Sequence, residues 1–374
     1  MNGLKNKQKK MNKNVSIIGI GKLGICFGLN LKKAGWEVIG IDNNQEYVNQ
    51  LNLGTFKSDE EGVNDYLKNH PLDLYSTDIE KAIESDIIFI VVPTPSTADH
   101  KYDHSYIEKI KNQLISLGLQ KSRKDLIINC TTFPGYCDQL QKELEELNYK
   151  VSYNPEFIAQ GTIIRDQLYC DNVLIGEHDV EAGNKICEVY KTFVLSEPIY
   201  NRMSRTEAEI AKLSVNCFLT TKISFANMIG DIASKYDCSG KKILAAIGTD
   251  SRIGTKYLMP GFGYGGPCFP RDNRALARCA EDVGISAEIS KATDRMNKLH
   301  LEYQIEDTIR KNNKQTDLIE IEYLTYKKES VSLEESQQLE YAKRLNELGY
   351  KLKINDKRKD VMDVVAKNFG IESE

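Results

Sequence analysis

Apolar residues in the first half of the chain come in short runs separated by stretches of helical periodicity. Val15–Ile18 is the first run, followed by a glycine-rich turn, an amphipathic stretch to Lys33, and a second run at Glu37–Ile41. Asp86–Val92, Asp125–Cys130 and Tyr149–Tyr153 repeat the pattern, with helical spacing over 104–117 and 136–147 between them. Runs this short and this apolar fit strands buried on both faces, and strands alternating with helices predict a parallel sheet.

The pattern changes after residue 200. Arg205 to Ile229 contains no glycine or proline, and Ile210, Leu213, Phe218, Ile223, Ala226 and Ile229 recur at helical spacing. A helix of about 30 residues is ~45 Å long, more than a small domain is wide, which predicts a spine packed on other helices or on a second subunit. Beyond His300 come a polar stretch (Arg310–Thr316), a strand-like run (Leu318–Tyr326), a helix-like run (Leu333–Leu348) and a short strand (Lys351–Asn355). The expected organisation is a flexible tail over 1–13, a dinucleotide-binding domain over 14–200, a helical central domain over 201–300, and an α/β segment over 301–374.

Composition narrows the class without naming a function. A length of 374 residues allows two or three domains, and 41% hydrophobic with 28% charged residues is ordinary for a soluble enzyme. A net charge of -4 gives no electrostatic reason to expect nucleic acid or a membrane surface as partner. The amino-terminal stretch carries Lys5, Lys7, Lys9, Lys10 and Lys13 but no apolar core, so it does not read as a secretory signal. None of the nine cysteines forms a Cys-x-x-Cys pair or sits at zinc-ligand spacing from a histidine, so no metal is expected, and reduced thiols in the cytoplasm are the default. His100 and His104, four apart, read as loop or surface residues.

The first two runs frame the cofactor signal. Gly19-Ile20-Gly21-Lys-Leu-Gly24 lies between strand and helix, and Asp42 closes the second strand. The first glycine permits a tight turn, the second lets backbone approach a pyrophosphate, and the third packs helix on strand. The helix amino end supplies partial positive charge. Asp42 is placed to accept the ribose hydroxyls and repels a 2′-phosphate, so NAD is expected over NADP. Thr94, Thr131 and Glu156 fall at the carboxyl ends of strands, where ligands of open parallel sheets sit; singly, each also reads as ordinary strand-end capping.

Two constellations carry candidate chemistry. Met259–Asp272 packs Gly261, Gly263, Gly265 and Gly266 ahead of Cys268, with Asp272 four positions on. Such a loop delivers a nucleophilic thiol or is a turn whose cysteine merely fills space. Lys212 and Asn216, one helical turn apart, fit a cation and an amide donor for a developing oxyanion, or a snorkelling lysine beside a polar surface residue.

Taken together, these blocks resemble the UDP-glucose/GDP-mannose dehydrogenase family, which oxidises a nucleotide sugar's primary alcohol to a carboxylate. The resemblance rests on the glycine turn, Val92-Pro-Thr-Pro95, Thr131, Asn154-Pro-Glu-Phe157, Ala208–Asn216, Asp250-Ser-Arg-Ile-Gly254 and the Cys268 loop, in the family's order over residues 14 to about 300. It implies an α/β fold with an N-terminal Rossmann-like doubly wound parallel sheet, a central long-helix dimerisation region and a shortened C-terminal α/β segment. It implies Cys268 as nucleophile, Lys212 and Asn216 on the substrate oxygen, Asp272 with Thr131 in proton transfer through a water, and Glu156 beside nicotinamide and substrate. Gly19, Ile20, Gly21, Gly24, Asp42, Thr94, Thr131, Glu156 and Arg271 form the implied NAD set. Arg252, Tyr257, Gly261, Gly265 and Lys327 join Lys212 and Asn216 around the substrate, Arg252 from a neighbouring subunit. The expected partners are a small-molecule substrate and a second copy through the long helix, with no nucleic acid and no membrane.

The resemblance has gaps. Glu334 stands where the family usually has arginine, Pro267 and Arg271 depart mildly from the cysteine loop, and the later strands of the family's last domain are absent from this sequence. The expected reaction is a four-electron oxidation of an alcohol to a carboxylate through a Cys268 thiohemiacetal and thioester, on a nucleotide sugar such as UDP-glucose or a UDP-N-acetylhexosamine. The alternatives are a smaller phosphorylated or phosphonate alcohol as substrate, a two-electron 3-hydroxyacid-type dehydrogenase, and an NAD-binding scaffold.

Overall fold

A computed structural model describes residues 12–158, 161–314, 316–328, 330–356 and 358–371. Most of the amino-terminal tail expectation therefore lies outside the described residues. The chain divides into two compact units, Met1–Pro95 with Tyr102–Lys212, and Ser96–Lys101 with Leu213–Glu374.

The first unit is built on one eight-stranded sheet: β1 (Asn14–Ile18), β2 (Glu37–Ile41), β3 (Leu74–Ser76), β4 (Ile87–Ile90), β5 (Lys124–Ile128), β6 (Tyr149–Tyr153), β7 (Asn172–Gly176) and β8 (Ile199–Met203). Their order is β3-β2-β1-β4-β5-β6-β7-β8, so the winding reverses between β1 and β4. All pairings are parallel except β6 with β7, which meet antiparallel at Tyr153 and Gly176. The doubly wound α/β expectation holds, with this one departure from a fully parallel sheet.

Helices α1 (Lys22–Lys33), α2 (Gln45–Asn52), α3 (Val63–Asn69), α4 (Ser105–Ser116), α5 (Tyr136–Leu144), α6 (Ile163–Leu168) and α7 (Val180–Phe193) complete the crossovers. Along β4 the side chains alternate between two cores. Ile87 and Phe89 join Ile25, Phe27 and Leu29 of α1 and Val189 of α7, whereas Ile88 and Ile90 join Ile107 and Leu114 of α4 and Leu140 and Leu144 of α5. Strands buried on both faces cannot show polar alternation, which is why they appear in the sequence as continuous apolar runs.

The long helix α8 runs Arg205–Lys235, passing through Gly230 beyond the stretch that periodicity marked. Its first two turns belong to the first unit and the rest to the second. The second unit continues with α9 (Gly240–Gly248), α10 (Phe269–Asp282), α11 (Glu288–Lys311), β9 (Leu318–Ile321), α12 (Gln337–Glu347), β10 (Lys351–Ile354) and α13 (Lys359–Phe369). β9 and β10 pair in parallel across α12, and Ile319, Ile321, Leu339, Leu345, Leu352 and Val365 share a core with Leu301 and Ile305 of α11. The strand expected to reach Tyr326 stops at Ile321. Leu324 is instead taken up by a loop whose amide donates to Asp356 (3.4 Å), and Arg358 clamps that loop through Thr325 Oγ1 (2.9 Å) and the Ser330 carbonyl.

Candidate active site

In the first unit, the turn from β1 into α1 carries the nucleotide signal. Gly19 sits at φ +92, and a Cβ there would lie 2.2 Å from the Val91 carbonyl oxygen; one on Gly24 would lie 2.0 Å from the Gly19 oxygen. No side chain larger than hydrogen fits either place. A Cβ on Gly21 would meet nothing within 4 Å, so this backbone borders open space. No side chain caps α1 and its first turn has no acidic residue, leaving the amino-end N–H groups for an anion. The Ile20 carbonyl is fixed by the Tyr47 hydroxyl (2.7 Å), and Asp42 is held at the end of β2 by the Asn44 amide on Oδ1 (3.0 Å). A tight turn, an open backbone face, an uncapped helix start and a terminal carboxylate fit a dinucleotide. Thr94 is buried after β4.

Two loops follow the next strands. β5 leads through Asn129 and Cys130 to Thr131, which is half-buried, and Thr132, which is fully buried. β6 leads to Asn154-Pro-Glu156-Phe157. The Glu156 carboxylate accepts from the Tyr190 hydroxyl (3.0 Å), and its packed surroundings hold its pKa above the usual carboxylate value, opposed by Tyr190, Lys212 and Asn129. Lys212, 7% exposed, donates to the Glu156 carbonyl (2.5 Å) and lies 4.2 Å from the centre of the Phe157 ring. It is a cation fixed in a packed setting, not a snorkelling surface lysine. Thr131, Glu156 and Lys212 are thus displayed on the loops after β5 and β6 and on α8.

In the second unit, Cys268 is exposed and precedes α10, with Pro270 in that helix's first turn. Asp272, fully buried one turn on, donates its amide to the Cys268 carbonyl (2.8 Å). Its carboxylate accepts from Asn216 Nδ2 (2.6 Å) on one oxygen and from Arg271 Nε (2.9 Å) on the other. Asn216, 9% exposed, therefore commits one of its two N–H groups to Asp272 and keeps a second. Arg271, expected with the cofactor, has its guanidinium on Asp272.

The glycine loop ahead of Cys268 is held by side chains the sequence did not mark. Asn227 of α8 accepts from the Gly261 amide (2.9 Å), His300 Nε2 lies 2.7 Å from the Gly261 carbonyl, and Asn297 brackets Tyr264, accepting from its N–H and donating to its C=O (both 2.9 Å). From further along the chain, the Glu334 carbonyl accepts from the Gly266 amide (2.9 Å), and a Cβ on Gly265 would lie 2.3 Å from the Glu335 oxygen. Glu335 takes Arg274 in a two-pronged pair (2.7 and 2.8 Å). Lys327 is half-buried, and Tyr257 is exposed at φ +61 beside Phe269. Arg252 is exposed and bound to Asp250 (2.7 Å), where a partner-reaching role is not engaged within one chain. His104 lies in the loop just before α4, where it is stacked on Tyr136 (3.8 Å between rings) and half-buried. Among the described residues no cluster of acidic, histidine or cysteine side chains could hold a metal ion, and no helix is long and apolar enough to cross a membrane.

A doubly wound sheet with a glycine cradle at its first turn defines a dinucleotide-binding protein. Residues 13–194 match the UDP-glucose/GDP-mannose dehydrogenase family, NAD binding domain, and residues 206–299 match the central domain of that family. The chain belongs to the UDP-glucose/GDP-mannose dehydrogenase family. It is 31% identical to UDP-glucose 6-dehydrogenase YwqF of Bacillus subtilis over 294 residues, covering 76% of this chain and 66% of that protein. It is 29% identical to a UDP-glucose 6-dehydrogenase of Pseudomonas aeruginosa, covering 75% of this chain and 64% of that one. The chain thus spans just under two thirds of the length of both. A UDP-glucose dehydrogenase structure from Pyrobaculum islandicum superposes with a TM-score of 0.84 at 28% identity, covering 98% of this chain and 86% of that one.

Proposed function

We propose that this protein is an NAD-dependent oxidoreductase that converts the primary alcohol of a nucleotide sugar to a carboxylate in two hydride transfers. The observation that carries the reading is the arrangement at α10. An exposed thiol begins the helix, and a fully buried carboxylate one turn on is held by an amide and a guanidinium. A buried carboxylate with two committed donors would be an expensive way to fill space, and its place behind the thiol supports a working site.

NAD, when bound, would supply the hydride-accepting nicotinamide, one molecule of it for each of the two hydrides. Lys212 and Asn216 stabilise the substrate oxygen as it becomes an alkoxide, and Thr131 with Asp272 passes its proton to water. Loss of hydride from carbon leaves an aldehyde. The Cys268 thiolate adds to that carbonyl carbon, giving a thiohemiacetal whose C–H can leave as the second hydride. Water then cleaves the resulting thioester, releasing carboxylate and restoring the thiol. Cys268 stands at the amino end of α10, where the helix dipole favours negative charge. Glu156, whose pKa is raised by burial, lies on the loop whose carbonyl takes Lys212.

The substrate proposal is a UDP-sugar, UDP-glucose or a UDP-N-acetylhexosamine, supported by the relatives' names and by the C-terminal segment at 326–337. That segment is anchored on the glycine loop, with the Tyr326 ring beside Gly266 and the Glu334 carbonyl on its amide. A cytoplasmic homodimer completes the proposal. Phe218, Phe225 and Ile232, seven residues apart on α8, are 66%, 43% and 48% exposed in the single chain and form an apolar stripe a second copy would cover. The test is stoichiometric. Purified protein with NAD and UDP-glucose or UDP-N-acetylhexosamines should yield two NADH per sugar consumed; one NADH per sugar removes the thiol-dependent second oxidation.

A further inference from the structure

Three residues before Lys212, α8 carries Glu209, a carboxylate with no exposed surface. Its two oxygens accept three hydrogen bonds, two from the loop that follows β5 and one from the first turn of α5. Oε1 takes the Thr132 hydroxyl (2.8 Å) and the Cys137 amide (2.9 Å), and Oε2 takes the Gly135 amide (2.6 Å). Helix α5 begins at Tyr136 behind Gly135, which has no side chain to cap it. Glu209 therefore acts as a cap delivered from another helix, placing negative charge where the first turn's N–H groups are unsatisfied. Burial raises its pKa while the three donors oppose that rise.

The loop so gripped is the one that displays Thr131. On the amino side of Thr131, the Asn129 amide donates to the Ile90 carbonyl (2.9 Å) and its side chain to the Asn154 carbonyl (2.5 Å). On the other side come the three bonds to Glu209 and one from the Phe133 amide to His104 Nε2 (3.3 Å). One turn of α8 thus holds both strand-end loops: Glu209 accepts from the loop after β5, and Lys212 donates to the loop after β6.

We propose that Glu209 is a positioning residue that fixes Thr131 in register with Lys212, so that catalytic geometry depends on a side chain that touches no substrate. The inference rests on the proposed reaction for Thr131. It predicts that Glu209→Gln, which replaces one acceptor oxygen with a donor facing a backbone N–H, lowers kcat by about 10- to 100-fold. KM for NAD and for UDP-glucose should stay within about threefold, because uniform binding is untouched.

The deciding experiment is a double-mutant cycle with Thr131→Ala, read as NADH formation from UDP-glucose. If Glu209 acts through Thr131, adding Glu209→Gln to Thr131→Ala costs less than about threefold further. Full additivity of the two penalties overturns the proposal. Should Glu209→Gln fail to fold, Thr132→Val removes one of the three bonds and enters the same cycle. A wild-type protein that forms no NADH with any nucleotide sugar overturns the functional reading alone. Amide hydrogen exchange at Gly135 and Cys137, with NADH affinity measured beside it, then decides. Lost protection with unchanged affinity is the expected result, and unchanged protection overturns the proposal.

Discussion

Asn216 donates from its side-chain amide to the Asp272 carboxylate at 2.6 Å, joining α8 to the first turn of α10 behind Cys268. Neither residue is more than marginally accessible. The bond ties the helix that carries the amide to the one that begins at the thiol.

Replacing Asn216 by alanine should therefore act twice. A buried carboxylate loses one of its donors, a cost of about 1–3 kcal/mol in folding stability. Under the proposed mechanism an oxyanion donor is lost as well, which should lower kcat by about 10²- to 10³-fold. Denaturant midpoints and steady-state NADH formation on the same preparation separate the two. Loss of stability without loss of turnover would confine Asn216 to a structural role.

Cys268→Ser should arrest the reaction after the first hydride. The expected result is at most one NADH per sugar, with an aldehyde that hydrazine-type reagents trap. Two NADH per sugar from this variant would move the second oxidation away from the thiol.

Asp42→Ser should weaken NAD by about tenfold, the loss of one to two hydrogen bonds to ribose, and should narrow the preference over NADP. KM for both cofactors, measured side by side, checks this. An unchanged ratio would show that Asp42 does not face the ribose.

Gly24→Ala places a methyl 2.0 Å from the Gly19 oxygen. Backbone must move to admit it, so stability should fall by about 1–3 kcal/mol and NADH affinity should fall with it. Thermal melts and NADH fluorescence titration report the two effects.

His104 gives a pH dependence of known sign. Burial against Tyr136 pushes its pKa down from 6.5 to about 4, opposed by Glu108 and Asp103. The unfolded chain therefore binds a proton that the folded chain refuses across that window. Stability from this residue is present above about pH 6.5 and is lost as pH falls toward about 4. His104→Phe, which keeps the stack, should flatten the stability profile over that window in urea titrations at several pH values.

How far the sequence could be read depended on how a signal is carried. β2 and β6 have the bounds their apolar runs mark, and α8 is continuous where periodicity is unbroken. β8 was invisible because its residues, Ile199-Tyr-Asn-Arg-Met203, form a half-exposed edge strand with no apolar run. The nucleotide turn was legible because steric demands on glycine are local. Glu209 was not, since an acid on an amphipathic helix reads as solvated and its three partners lie more than seventy residues away. Asn227, Asn297 and His300 escaped for the same reason. An amide or imidazole that grips a distant carbonyl leaves no periodic trace.

The bond from the Gly266 amide to the Glu334 carbonyl has a consequence for how such a chain can change. Insertions at the exposed turn around Asn313 and Lys314 would be absorbed by solvent-facing backbone. A single residue inserted between Ser332 and Ser336 would shift the carbonyl that meets Gly266 and the carboxylate that meets Arg274. The loop leading to Cys268 would lose its backing. The tolerance of the C-terminal segment to lengthening is thus set by its distance from that one amide, and the thiol's surroundings restrict drift in sequence far downstream of it.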